Sequence, residues 1–131
     1  MNKIAAIITD IQRADAINIV HFDVNGQTMC MMALELDEQL TIGTKVKVGS
    51  KATNIALAQK RVETISISNQ LEVTITGINM GTLLCSVSFD FEGQCWESVI
   101  TRDSALRMQL AVDAKIVALI KSSELSIVEA I

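Results

Sequence analysis

Apolar and polar residues alternate with a period of two along most of this chain, the signature of strands buried on one side. The alternation is clearest at Asn18, Val20, Phe22 and Val24 and again at Cys85, Val87, Phe89 and Phe91. Each run ends in a hairpin signal, Asn25-Gly26 or Glu92-Gly93, followed by a second run. The pattern predicts strands at Lys3–Gln12, Ala16–Val24, Gln27–Leu34, Lys45–Ser50 and Asn54–Ala58. A second set follows at Gln70–Ile78, Thr82–Phe91, Gln94–Thr101, Lys115–Lys121 and Leu125–Val128. A short helix is expected at Asp103–Gln109, and a short turn or helix near Glu35–Leu40.

The two sets are copies of one unit. Asn2-Lys3-Ile4 lies 67 residues before Asn69-Gln70-Leu71, and Phe22–Gln27 lies 67 before Phe89–Gln94. Further on, Lys51-Ala52-Thr53 lies 70 before Lys121-Ser122-Ser123, so the register slips by three between Glu35 and Gln39. The slip falls on the segment matching Asp103–Met108, and the first copy has lost the turn that bears Ser104 and Ala105. The expectation is an all-β chain with one short helix per repeat, folded as two tandem OB-like five-stranded barrels. The repeats are expected at residues 1–58 and 66–131. Between them Gln59–Thr64 is a short polar linker, which could let strands exchange between repeats or between chains.

Composition narrows the partners. Half of the 131 residues are apolar but only 3% are aromatic, so the core is aliphatic. Units of about 60 residues are marginal alone, and apolar surface in so small a unit points to burial between subunits, hence a homo-oligomer. The net charge of −4 comes without a basic stripe, which argues against nucleic acid. No run reaches the roughly 18 apolar residues of a membrane span. Three cysteines without C-x-x-C spacing fit reduced thiols in a cytoplasm, and Asp10 interrupts the apolar start, which lacks the features of a leader.

Catalysis finds little support. The single His21 points away from the barrel face and reads as a solvated side chain, and the carboxylates are scattered over turns and outer faces. No phosphate-cradling G-x-x-x-x-G-K and no cluster of metal-ligating side chains is visible. Anion binding fares better. Thr101 and Ser104 bracket a helix start, and Lys121-Ser122-Ser123 places an ammonium and two hydroxyls at a strand break. Taken singly, Ser104 reads as a helix cap and Lys121 as a solvated strand end. Together they form a set of donors without matching acceptors.

Three motifs share a family order: Ser66-Ile67-Ser68-Asn69-Gln70-Leu71, Ile100-Thr101 with Ser104-Ala105, and Ala118-Leu119-Ile120-Lys121-Ser122-Ser123-Glu124-Leu125. They resemble the S-A-R-N-Q-L, I-T-x-x-S-A and A-L-I-K-[AS]-[ST]-E-[LV] patterns of the molbindin family, also called the Mop or TOBE domain. The resemblance covers Ser66–Val128 well and the first half more weakly. It implies OB-like barrels, a cytoplasmic role in molybdenum storage or homeostasis, and molybdate or tungstate as ligand with no organic cofactor. It also implies assembly as a trimer and oxyanion sites that often lie between chains. Carried over, the ligands are Ser66, the backbone N–H of Ile67, Ser104, Lys121 and Ser122. Ser68 stands where the family has Arg, and Lys51 and Ala52 are the matching turn of the first repeat. Asn69 reads as a buttress of the turn, and Arg102 or Arg107 could replace the charge missing at Ser68. The ligand is a whole oxyanion, with no side chain bound directly to the metal. The alternative is a ligand-poor TOBE-type regulatory or protein-interaction module, favoured by Ser68 and the eroded first repeat.

Overall fold

The computed structural model describes residues 2–131; Met1, the first residue of the expected first repeat, lies outside them. The first repeat supplies β1 (Asn2–Ala14), β2 (Ile17–Val24), β3 (Gln27–Ala33), β4 (Lys45–Ser50) and β5 (Ala56–Ala58). The second supplies β6 (Asn69–Met80), β7 (Leu84–Phe91), β8 (Gln94–Thr101), α1 (Arg102–Met108), β9 (Lys115–Ile120) and β10 (Ser126–Ala130). One 3-10 turn precedes each last strand, at Ala52–Asn54 and Ser122–Glu124. The hairpins form where expected. Asn25 and Gly26 both have positive φ, as do Glu92 and Gly93, the backbone of a turn whose twist matches that of the flanking strands.

Two five-stranded antiparallel sheets result, ordered β10-β4-β1-β2-β3 and β5-β9-β6-β7-β8. Each contains four strands of one repeat and the last strand of the other. β10 pairs with β4, setting Ser126 opposite Gly49, while β5 pairs with β9, setting Ala56 opposite Leu119. The exchange expected of the linker therefore takes place within the chain, between its two repeats. Each sheet curls into an open OB-like barrel whose gap is covered by the other repeat's 3-10 turn: Ala52–Asn54 lies against β8, and Ser122–Glu124 against β3.

The inner faces merge into one aliphatic core around Phe22, Phe89, Phe91 and Trp96. The alternation read from the sequence holds: Val20, Phe22 and Val24 are buried, as are Cys85, Val87, Phe89 and Phe91, while His21 and Ser88 face outward. Burial pushes the Cys85 thiol up from its ordinary pKa, against the lowering effect of the Arg102 charge. Between the sheets, Asn69 reaches β3 with its amide, donating to the Cys30 carbonyl at 2.8 Å and accepting from the Cys30 N–H at 2.7 Å. Asn2 does the same at Glu97, at 2.9 and 2.8 Å. Two side chains thus act as one-residue strands across the repeat boundary. Asn69, expected as a turn buttress, is a stitch between the repeats.

Of the short turn or helix expected near Glu35–Leu40 the turn forms, but the first repeat has no counterpart of α1: the segment between β3 and β4 is built of turns and a bend. In α1 the Thr101 hydroxyl accepts from the Ser104 N–H at 3.2 Å, capping the first turn. The position matching Thr101 is Leu34, which has no oxygen to offer, and the three-residue deletion removes the turn that would follow.

β4 lies between β1 and β10, and at Gly49 the neighbours come close. A Cβ there would strike the Asn2 carbonyl oxygen and sit 3.0 Å from Val128 Cγ2. Gly49→Ala is expected to destabilise the fold by about 1–3 kcal/mol, read as a lower midpoint in urea. An unchanged midpoint would contradict the strand packing described.

Candidate functional site

The β6/β9 ladder begins with Asn69 opposite Ile120. Ser68 and Lys121 are the next residues beyond that pair, so the Ser66–Ser68 segment and the Lys121–Ser122 turn leave the second sheet at the same end. Ser66 and Ser68 are exposed, Ile67 and Ser122 half-buried. The segment is held from behind by Gln70, whose side chain donates to the carbonyls of Ile67 (2.9 Å) and Val62 (2.7 Å) and accepts from the Val62 N–H at 2.9 Å. Lys121 is in extended conformation at the start of the 3-10 turn and is exposed. Among the described residues the ion pair present is Lys47–Glu129 at 3.5 Å, so the Lys121 ammonium is free of a carboxylate partner.

The matching turn of the first repeat lies nearby. Ser50 donates its hydroxyl to the Glu124 carbonyl and Asn54 its amide to the Glu124 carboxylate, both at 2.9 Å. Lys51–Ala52 and Lys121–Ser122 are therefore neighbours across the boundary where the strands exchange.

Ser104 lies elsewhere. Its hydroxyl accepts from Thr101 Oγ1 at 2.9 Å and from Arg107 Nη2 at 3.3 Å. Arg102 donates to the Gly81 carbonyl at 3.0 Å, beyond the far end of β6. The twelve residues of β6 separate this end from Ser68, a path on the order of 30 Å at the usual strand rise. One chain does not bring Ser104 to Lys121, and neither Arg102 nor Arg107 is placed to replace a charge at Ser68. A site using both Ser104 and Lys121 takes Ser104 from another molecule.

The cation that shares a cleft with Ser68 is Arg61. The cleft, about 660 Å³, runs between the outer face of β2–β3 and the linker, and is lined among others by His21, Cys30, Arg61, Ser68, Glu72 and Glu92. Arg61 Nη1 donates to the Gln70 carbonyl at 3.2 Å. Its sequence gave no signal, because a single Arg in a polar linker belongs to no motif; only the fold brings it to Ser68. A larger groove of about 740 Å³ on the outer face of β9-β6-β7 mixes Lys60, Arg61 and Lys115 with Glu72, Asp90 and Glu92 and holds none of the expected ligands. No helix among the described residues is long and apolar enough to cross a membrane.

The chain is similar to known proteins on both halves of this description. Residues 65–127 match the TOBE domain family. The molybdenum import ATP-binding protein ModC of Brucella abortus (strain 2308) is 30% identical over 105 residues, 79% of this chain and 28% of that protein. The ModC of Brucella suis biovar 1 (strain 1330) matches to the same extent, so the chain spans 28% of the length of these relatives. The solved structure of the cytoplasmic molybdate-binding protein ModG, with molybdate bound, superposes with a TM-score of 0.88 at 21% identity. That match covers 95% of this chain and 93% of the other, and shows the same fold. A molybdate-binding protein from Sporomusa ovata is 32% identical over 50% of this chain and 98% of its own, with a TM-score of 0.49. Residues 65–127 of this chain therefore form a TOBE domain, and the chain as a whole shares the fold of ModG.

Proposed function

We propose that this chain is a non-catalytic, cytoplasmic binding protein for molybdate or tungstate, serving molybdenum storage or homeostasis. Its working units are the repeats 1–58 and 66–131, assembled as a homo-oligomer, with a trimer favoured. The reading rests on the end of the β6/β9 ladder, where Ser68 precedes and Lys121 follows the last pair Asn69–Ile120, and on a Lys121 ammonium without a carboxylate partner among the described residues. A tetrahedral dianion offers only acceptor oxygens and is held by N–H, O–H and ammonium donors. Ser104, displayed at the opposite end, completes the site of a neighbouring copy. Relatives named for molybdenum import and molybdate binding support the ligand. Nucleic acid and membrane are not partners in this reading.

Calorimetric titration of the purified protein is the test. Molybdate and tungstate are expected to bind and sulfate, smaller than a cavity shaped for them, to bind weakly. If none of the three binds, the ligand-poor interaction module is the better reading, which the Ser at position 68 and the helix-less first repeat favour.

A further inference from the structure

β3 reads Gln27-Thr28-Met29-Cys30-Met31-Met32-Ala33, with three methionines and a cysteine in succession. The core accounts for two of them: Met29 and Met31 are buried, at 0% and 4% exposure. Their neighbours point the other way. Cys30 is half-buried on the outer face, and Met32 is 47% exposed there. On the adjacent strand His21 lies directly opposite Cys30 in the β2/β3 register, also half-buried and facing outward. His21 and Cys30 line the same cleft.

We infer that the outer face of β2 and β3 binds a soft monovalent cation of the Cu(I) or Ag(I) class through Cys30 sulfur, Met32 sulfur and a His21 ring nitrogen. Directly opposed residues of an antiparallel pair have Cβ atoms about 4.5–5.5 Å apart. Two positions along one strand differ by about 6.6 Å, and a diagonal pair by about 7–8 Å, within reach of a long side chain such as methionine. These spacings put the three side chains on one face of two hydrogen-bonded strands, within reach of a single ion. Their rigidity is unusual for an edge: Asn69 clamps both backbone groups of Cys30.

The donor set decides the metal. Thiolate and thioether sulfur with imidazole suits Cu(I), whereas Ca²⁺ and Mg²⁺ require oxygen ligands and structural Zn²⁺ a tetrahedral set of four. The third ligand of the proposed set is the Met32 thioether, since no three His, Cys, Asp or Glu gather among the described residues. Binding exchanges the thiol proton for the cation: the S–H bond breaks, the S–M bond forms, and one proton passes to solvent with no change of oxidation state. The second repeat serves as an internal contrast. Its matching positions are Ser88, Glu97 and Val99, which offer no soft ligand.

The test is transfer of Cu(I) from its bicinchoninate complex to the whole protein under anaerobic, reducing conditions. One equivalent per chain is expected to move, with X-ray absorption showing two sulfur and one nitrogen ligands. Cys30→Ser abolishes transfer; Met32→Leu and His21→Ala each weaken it about tenfold or more; Cys95→Ser, at the exposed thiol, leaves it unchanged. All four side chains face away from the core, and circular dichroism checks that the fold persists. The inference is overturned if the wild type takes no copper, if Met32→Leu binds like wild type, or if Cys95→Ser loses the metal.

Discussion

Replacing Asn69 with alanine is expected to cost about 2–4 kcal/mol of stability, with a fall in thermal midpoint of about 10 °C. Asn69 is 1% exposed and makes both hydrogen bonds that Cys30 would otherwise exchange with a neighbouring strand. A hydrogen bond contributes about 1 kcal/mol net, but stranding a buried donor or acceptor costs about 1–3 kcal/mol. The variant loses two bonds and strands two backbone groups in one step, at the seam that holds the exchanged strands. Asn2→Ala repeats the experiment at Glu97, where the same two bonds are lost. Lys47→Ala is the control: its ion pair is about half exposed, and its removal should cost under about 1 kcal/mol. An Asn69→Ala protein as stable as Lys47→Ala would refute the stitch.

Lys121→Ala is expected to weaken molybdate binding about ten- to a hundredfold, the worth of a charge-assisted hydrogen bond of about 1.5–3 kcal/mol. Lys121 is the ammonium that follows the last pair of the β6/β9 ladder, at the end where Ser68 leads into β6. Ser104→Ala removes one hydroxyl already shared with Thr101 and Arg107, so its loss should be nearer about 0.5–1.5 kcal/mol. Lys51→Ala should cost less than Lys121→Ala, because the first repeat lacks the turn that bears Ser104 in the second. Ser68→Arg should tighten binding by returning a five-donor cation beside Arg61. Calorimetry on the four variants checks the ranking. Equal losses from Lys51→Ala and Lys121→Ala would mean that both turns contribute alike.

Most of the strand plan was legible in the alternation of Val20, Phe22 and Val24 and in the two hairpin dipeptides, since both are local. What local pattern cannot carry is the choice of partner: β10 reads the same whether it pairs with β9's repeat or with β4. The exchange was visible only as a freedom of the linker. The first-repeat helix failed for want of a cap, a loss signalled by Leu34 but outweighed by the repeat analogy. At the candidate site, the chain order of the motifs suggested one cluster. The length of β6 instead separates Ser104, Arg102 and Arg107 from Ser68 and Lys121. Arg61 and the stitching role of Asn69 depend on contacts between elements far apart in sequence.

The most direct measurement is a crystal of the protein grown with molybdate, with diffraction recorded at the molybdenum absorption edge. The account predicts an anomalous peak within hydrogen-bond reach of the Lys121 ammonium and the Ser66–Ser68 segment, with Ser104 of a second molecule facing it. A peak confined to Ser104 and Arg107, or to the Lys51–Thr53 turn with Lys121 turned away, would contradict it.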